Sequence, residues 1–278
     1  MRAMTEGDIG FALELTDREE WAYSRNEFER MFRLPHSGCL VWDEGSPSAF
    51  VTGVQYGRTA VISHLVVSGE SRGRNIGRRL LEASLGELDK LGMESVLLFS
   101  TSSGERLYRS LGFCNLRDVV SYGFRVGDDL GGRRCAGVQP EDMEEVCALD
   151  SCLFGDDRSL LLNELYAEHP DLCFKTVDGG RVTGFAFGRR TPLGGDIGPW
   201  ASTSGHDEDA SSLLRSVLDG FRGERVDVGF FDDVPLAMSL LDGQRREKEF
   251  RVKLMVRGGV RYPAVPQGVL GIAGFELG

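Results

Sequence analysis

Apolar positions recur along the chain with two periods. From residue 76 to 91, Ile76, Leu80, Leu81, Ser84, Leu85, Leu88 and Leu91 keep helical spacing, while Arg78, Arg79, Glu82, Glu87, Asp89 and Lys90 take the opposite side. Gly92 follows where a helix places its left-handed stop. Two earlier helix starts are marked by Thr5-x-x-Asp8 and by the capping box Ser24-x-x-Glu27. Between the second of these and the long helix lie three extended segments at about 39–42, 48–57 and 59–67, rich in Val and broken by Gly. A buried-type strand at Ser95–Phe99, a short helix ending at Gly112 and a last strand from Phe113 to Arg125 complete the half. This order predicts an α+β domain: one central, mostly antiparallel sheet flanked by helices.

A second half repeats the first. Val51-Thr52-Gly53 recurs 131 residues on as Val182-Thr183-Gly184, and the same spacing carries Gly112 onto Gly243. The stretch Gly127-Asp128-Asp129-Leu130-Gly131-Gly132 has linker composition. The expected organisation is a domain over 1–126, a linker over 127–133 and a second domain over 134–278.

Length and composition sharpen this picture. The 278 residues suit two domains, and 41% apolar with 27% charged residues suits packed cores. A net charge of −11 with no basic run argues against binding the phosphate backbone of nucleic acids. The amino terminus has no apolar signal core, and no apolar run reaches the ~20 residues of a membrane helix, so the sequence reads as cytoplasmic and not membrane-bound. Cys39, Cys114, Cys135, Cys147, Cys152 and Cys173 form no C-x-x-C pair and no Cys/His ligand spacing, which predicts a metal-free protein.

The chemistry concentrates after the third extended segment. Leu65-Val66-Val67 runs into a turn, Arg72-Gly73-Arg74-Asn75-Ile76-Gly77-Arg78, that opens the long helix. The first four N–H groups of a helix have no partner within it, and the positive end of the dipole adds to their pull on an anion. Gly73 and Gly77 let a phosphate approach the backbone closely. The spacing is neither a Walker loop nor a G-x-G-x-x-G fingerprint.

This stretch resembles the phosphate loop of the GNAT superfamily of N-acetyltransferases, Arg/Gln-x-x-Gly-x-Gly/Ala after a Leu-x-Val strand. Asn75 stands where Gly is usual, and Asn tolerates left-handed backbone better than most residues. A second motif, Thr101-x-x-Gly104-x-x-x-Tyr108-x-x-x-Gly112-Phe113, is also similar to the family's, with Thr101 in place of a common Asn. The resemblance covers about residues 5–126. It implies that acetyl-CoA binds with its pyrophosphate on the amides of residues 73–78, beside Arg72, and its pantetheine arm along Leu65, Val66 and Val67, with Thr101 contributing. It further implies direct acetyl transfer to a primary amine of a small molecule or peptide, with Tyr108 as general acid. Alternatives are a CoA-binding sensor or scaffold without turnover, and a transferase for a longer acyl-CoA. His64 lies where relatives often carry Asp or Glu, and an imidazole of reference pKa about 6.5 accepts an amine proton near neutral pH. Glu70 and Arg106 are nearby in sequence and read as solvated surface.

At the same spacing Arg72 falls on Thr203, Asn75 on His206, Gly77 on Glu208 and Tyr108 on Ser239. Glu208 brings negative charge to the helix end that should meet pyrophosphate, so the second half reads as a degenerate GNAT-like domain. The full chain resembles tandem GNAT proteins with an active first domain, and Phe154-Gly155-Asp156-Asp157-Arg158, Gly198-Pro199-Trp200 and the Gly-rich ending resemble recurring segments of that group. The sequence leaves the acceptor and the oligomeric state open.

Overall fold

The computed structural model describes residues 1–128, 130–203, 207–241, 245–259 and 268–278. Gly243, His206 and Asp129 therefore lie outside the described residues. The chain divides into two compact units. Unit 1 comprises Met1–Leu116, Leu254–Val260 and Glu276–Gly278, and unit 2 comprises Arg117–Lys253 and Arg261–Phe275.

Unit 1 runs β1 (Arg2–Ala3), α1 (Ile9–Arg18), α2 (Arg25–Arg33), β2 (Leu40–Asp43), β3 (Pro47–Tyr56), β4 (Thr59–Val67), α3 (Ile76–Lys90), β5 (Ser95–Ser100) and α4 (Glu105–Ser110). Both helix-start signals are realised. Thr5 donates its backbone N–H to Asp8 Oδ2 at 2.9 Å, and Ser24 and Glu27 close a reciprocal box, with Ser24 N–H on Glu27 Oε2 at 2.7 Å. β1 was not foreseen. Two residues carry no periodicity, and only pairing with β2, Arg2 opposite Val41, defines the strand.

The strands order as β1-β2-β3-β4-β5, antiparallel up to β4 and parallel between β4 and β5. α3 buries Ile76, Leu80, Leu81, Ser84, Leu85 and Leu88 against Trp42, Ala49, Val51, Ala60 and Ile62 on one sheet face. Gly92, with φ 73°, ends it as its C′ residue. Residues of opposite parity, such as Phe50, face the other side and meet Phe11 and Phe28 from the first two helices.

Unit 2 takes β6 (Cys114–Arg125) from Arg117 onward, followed by β7 (Ala136–Gly137), α5 (Met143–Phe154), α6 (Ser159–Glu168), β8 (Cys173–Asp178), β9 (Arg181–Thr191), β10 (Gly194–Ser202), α7 (Asp207–Asp219), β11 (Arg225–Phe231), α8 (Pro235–Leu241), β12 (Arg246–Gly258) and β13 (Val269–Gly271). The compact units thus interleave in sequence. Residues 117–126, placed by composition in the first domain, cluster with unit 2, while the end of β12 pairs beside β5 in unit 1. Strand pairing, not chain order, decides membership. Within unit 2 the order is β6-β11-β10-β9-β8-β7, with β13 on β10.

The repeat is real at the level of elements, but its offset is not constant. The long helices begin at Ile76 and Asp207, 131 residues apart (76 to 207). The hairpins before them correspond at 135: Ala49 pairs with Val67 where Gly184 pairs with Ser202. The Val-Thr-Gly triplets consequently sit at different ladder positions, since Gly53 pairs with Ile62 and Gly184 with Ser202. The difference of four lies in the strand-to-helix loop. Eight positions separate Val67 from Ile76 in the first half, and four separate Ser202 from Asp207 in the second.

Candidate active site

A register shift between Phe50 and Thr52 marks a bulge in β4 opposite Val51. His64 sits in it with φ 48°, an uncommon left-handed conformation for a residue other than Gly. Its ring lies on the α1/α2 side, with centroids 4.4 Å from Tyr23, 5.1 Å from Phe28 and 6.2 Å from Phe50. Nδ1 is 2.8 Å from Thr52 Oγ1, and Thr52 Oγ1 is 3.0 Å from Ser63 Oγ. Nε2 is buried with no hydrogen-bond partner. Burial disfavours the imidazolium and pushes the pKa of His64 down to about 3. The expectation that it titrates near neutrality does not hold, because the apolar rings around it come from segments far away in sequence.

The parallel ladder joins Thr59–Val61 to Ser95–Leu97 and goes no further, although β4 continues to Val67 and β5 to Ser100. The two strands diverge, so the β4 edge carrying Leu65, Val66 and Val67 faces a cleft. Among the described residues no other strand pairs with that edge. Beyond it a 3₁₀ turn, Gly69–Ser71, leads through Arg72 to Gly73 at φ 78° and Asn75 at φ 59°, ψ 18°. Asn75 adopts the left-handed conformation that a Gly would take. It then caps α3, whose first ladder bond runs from Arg79 N–H to Asn75 O at 3.1 Å. The amides of Ile76, Gly77 and Arg78 precede that ladder.

A Cβ on Gly73 would meet nothing within 4 Å, and one on Gly77 only Val67 Cγ2 at 3.5 Å. The cradle is therefore roomy at the backbone. Several cations surround it, each with a local partner. Arg72 pairs with Glu19 and donates Nε–H to Val67 O at 3.1 Å, and Arg74 reaches Glu44 at 2.8 Å. Arg78 donates to Ser110 Oγ at 2.6 Å. All three side chains are largely exposed, and such pairs are weak and exchangeable.

On the β5 side, Thr101 Oγ1 is 2.9 Å from Ser103 Oγ. Tyr108 follows on α4. Its ring lies over Gly104, where an added Cβ would come within 2.7 Å of Cε2, and it meets Phe113 edge-on at 6.1 Å. A side chain at 104 would require the ring to shift. Burial pushes the phenol up to about 12. Glu70 and Arg106 are exposed.

Sequence reasoning missed the segment between α1 and α2. Trp21, 42% exposed, lies 6.3 Å from the His64 ring, and Glu20 and Ala22 beside it take φ 60° and 53°. Two aromatics in a six-residue connection (19–24) were the available signal, but nothing local ties them to residue 64. A separate cavity of about 330 Å³, lined by Phe11, Leu15, Pro47, Ser48, Ser68 and Ser71 among others, includes none of the expected site residues. Among the described residues no three His, Cys, Asp or Glu side chains converge as metal ligands, and no helix is long and apolar enough to cross a membrane.

In unit 2 the equivalent strands also diverge. β10 and β11 pair only over Gly195–Ile197 and Val226–Val228, and the bulge recurs at Gly198-Pro199, with no titratable side chain. α7 opens with Asp207, Glu208 and Asp209, and α8 carries no tyrosine; Ser239, 131 residues on from Tyr108, donates to Leu236 O at 2.9 Å.

Comparison with known proteins agrees with this geometry. Residues 10–113 match the acetyltransferase (GNAT) family, and residues 146–270 match an acetyltransferase (GNAT) domain model. The uncharacterized N-acetyltransferase YitH of Bacillus subtilis is 24% identical over 177 residues, 62% of this chain and 61% of that protein. The chain thus spans about three fifths of the length of this curated relative. A crystal structure from Pyrococcus horikoshii, assigned as an acetyltransferase, superposes with a TM-score of 0.83 at 19% identity, over 100% of this chain and 95% of that one. A GCN5-related N-acetyltransferase from Sphaerobacter thermophilus gives 0.66 at 19%, covering 94% and 97%. A tandem GNAT protein from the clavulanic acid biosynthesis pathway gives 0.61 at 13%, covering 93% and 97%. At such identities the three structures show a shared fold.

Proposed function

Both halves of the chain belong to the GNAT acetyltransferase family, and from that premise we propose that unit 1 is an acetyl-CoA-dependent N-acetyltransferase acting on a primary amine of a small molecule or peptide. One observation carries the reading. The cleft where β4 leaves β5 leads directly into the loop of Gly73 and Asn75 and the unpaired amides that open α3. A strand edge suits an amide-bearing arm, and a helix N-terminus suits a pyrophosphate.

Bound there, acetyl-CoA would supply the acyl group as an activated thioester. The amides of residues 73–78 hold the diphosphate, with Arg72, Arg74 and Arg78 close enough to exchange their carboxylate or hydroxyl partners for it. Leu65, Val66 and Val67 offer backbone groups to the pantetheine arm, and Thr101 its hydroxyl from the β5 side. The amine nitrogen attacks the thioester carbon, a C–N bond forms, and the C–S bond breaks with its electron pair on sulfur. Tyr108 donates its proton to that sulfur. A phenol near 12 is always protonated at neutral pH. The same burial weakens it as an acid. His64 enters as a neutral imidazole whose buried Nε2 can accept a hydrogen bond from the amine N–H, while the amine's proton leaves to solvent and solvent returns one to Tyr108.

The test is a pooled amine screen with acetyl-CoA, reading free thiol and amide product by mass. Acetylated product from the wild type, lost in Tyr108→Phe, supports the reading. Tight CoA binding with no product from any amine overturns it in favour of a sensor.

A further inference from the structure

Unit 2 has the same diverging strands as unit 1, yet its cleft is filled by the chain itself. β13 pairs antiparallel with β10, Gly271 opposite Trp200 and Val269 opposite Ala201, just past the point where β10 leaves β11. From the other side, Ile272 donates its N–H to Gly229 O of β11 at 2.9 Å. Residues 269–272 thus bridge both edges of the divergence. These are the edges that, in unit 1, we assign to the pantetheine arm.

The fit is close. Val269, Leu270, Ile272 and Ala273 are all buried, Leu270 to 1% and Ile272 to 3% exposed. A Cβ on Gly229 would lie 2.9 Å from Ile272 Cδ1, and one on Gly198, at φ 154°, 1.8 Å from Ile272 O. Two glycines on the cleft walls therefore make room for this segment. Arg189, itself buried, donates to Ala273 O at its end. The diphosphate end differs as well: four fewer residues separate strand from helix than before α3, and α7 begins with three acidic residues.

We propose that residues 269–272 are the permanent occupant of the unit 2 cleft, a peptide standing where an acyl-CoA arm would lie, so that the chain takes one CoA, in unit 1. The count of one rests on the function proposed for unit 1; the sealing of unit 2 does not. A peptide serves this place because its amide and carbonyl groups satisfy the freed β10 and β11 edges, which would otherwise be buried unpaired.

Hydrogen exchange and calorimetry on the full chain test it. Amides 269–272 should exchange at least about 10³-fold slower than in an unstructured peptide, as core strands do, and saturating CoA should leave them unchanged. Titration with CoA should give one site per chain, weakened about 10²-fold or more in Gly77→Asp. Free exchange at 269–272, acceleration of that exchange by CoA, or a second CoA site that survives Gly77→Asp would overturn the proposal. Slow exchange at 269–272 in a chain that binds no CoA would refute the unit 1 reading and leave the sealing of unit 2 standing.

Discussion

Thr52 Oγ1 and His64 Nδ1 lie 2.8 Å apart across the β3–β4 ladder, at the bulge that gives His64 its left-handed backbone. This one contact fixes the ring on the side of α1 and α2, among Tyr23, Phe28 and Phe50. A histidine that its sequence position suggests as a base becomes, by burial, a neutral group throughout the physiological range.

Stability should report this directly. The folded pKa of about 3 lies below the unfolded value near 6.5, so the unfolded chain takes up the proton first as pH falls. The contribution is complete above about 6.5 and is lost progressively towards about 3. One such group gives a slope of about 1.4 kcal/mol per pH unit, hence roughly 2–3 kcal/mol between pH 6.5 and 4.5. His64→Asn, which tolerates the same backbone, should remove that slope relative to wild type in urea unfolding series. Parallel pH dependences in the two proteins would mean that His64 is not held neutral.

The rate profile should follow the amine, not His64. An alkylamine of pKa near 10 is mostly ammonium at neutral pH and cannot attack until it loses its proton. With His64 already neutral, kcat/KM should rise with pH towards the amine's own range, with no limb near 6.5. His64→Asn should lower kcat by a similar factor at pH 6.5 and 8.5. A loss concentrated at low pH and recovered at high pH would restore His64 as the proton acceptor.

Local signals were legible in the sequence, and register was not. The α3 face, its Gly92 stop and the Ser24–Glu27 box depend on residues within a turn or two of each other, and the structure reproduces them. The left-handed Asn75 was readable for the same reason. The bulge at His64 leaves composition and alternation almost unchanged, so only the ladder reveals it. The repeated Val-Thr-Gly suggested a single offset and hid the shortened loop of the second half, because β-periodicity is indifferent to a shift of four. The role of residues 269–272 depends on contacts with strands near 200 and 229, beyond any local pattern.

Gly77→Asp should separate binding from folding. Its Cβ would make only an ordinary contact with Val67, and a carboxylate in the first helical turn favours the dipole, so the fold should hold or gain slightly. The added charge would face the diphosphate at close range, and Coulomb repulsion at an effective dielectric near 20 is about 3–4 kcal/mol, so affinity should fall about 10²-fold or more. Glu208→Gln, at the matching helix position of unit 2, should leave CoA affinity unaltered. Calorimetry decides both. Undiminished affinity in Gly77→Asp would move the site elsewhere.

Tyr108→Phe tests the chemistry with the smallest structural change. The ring keeps its seat over Gly104 and its edge contact with Phe113, so the melting temperature and CoA affinity should stay close to wild type. What is lost is one proton donor, protonated at neutral pH and made a weaker acid by burial. The loss should therefore appear in kcat, at about 10²–10⁴-fold, with little change in KM for the donor. A thioester whose leaving group is already acidic has less need of that proton. Replacing acetyl-CoA by an acetyl aryl thioester should shrink the gap between wild type and Tyr108→Phe. An equal deficit with both donors would make Tyr108 a packing residue, and an unchanged kcat with chemistry rate-limiting would remove it from the mechanism.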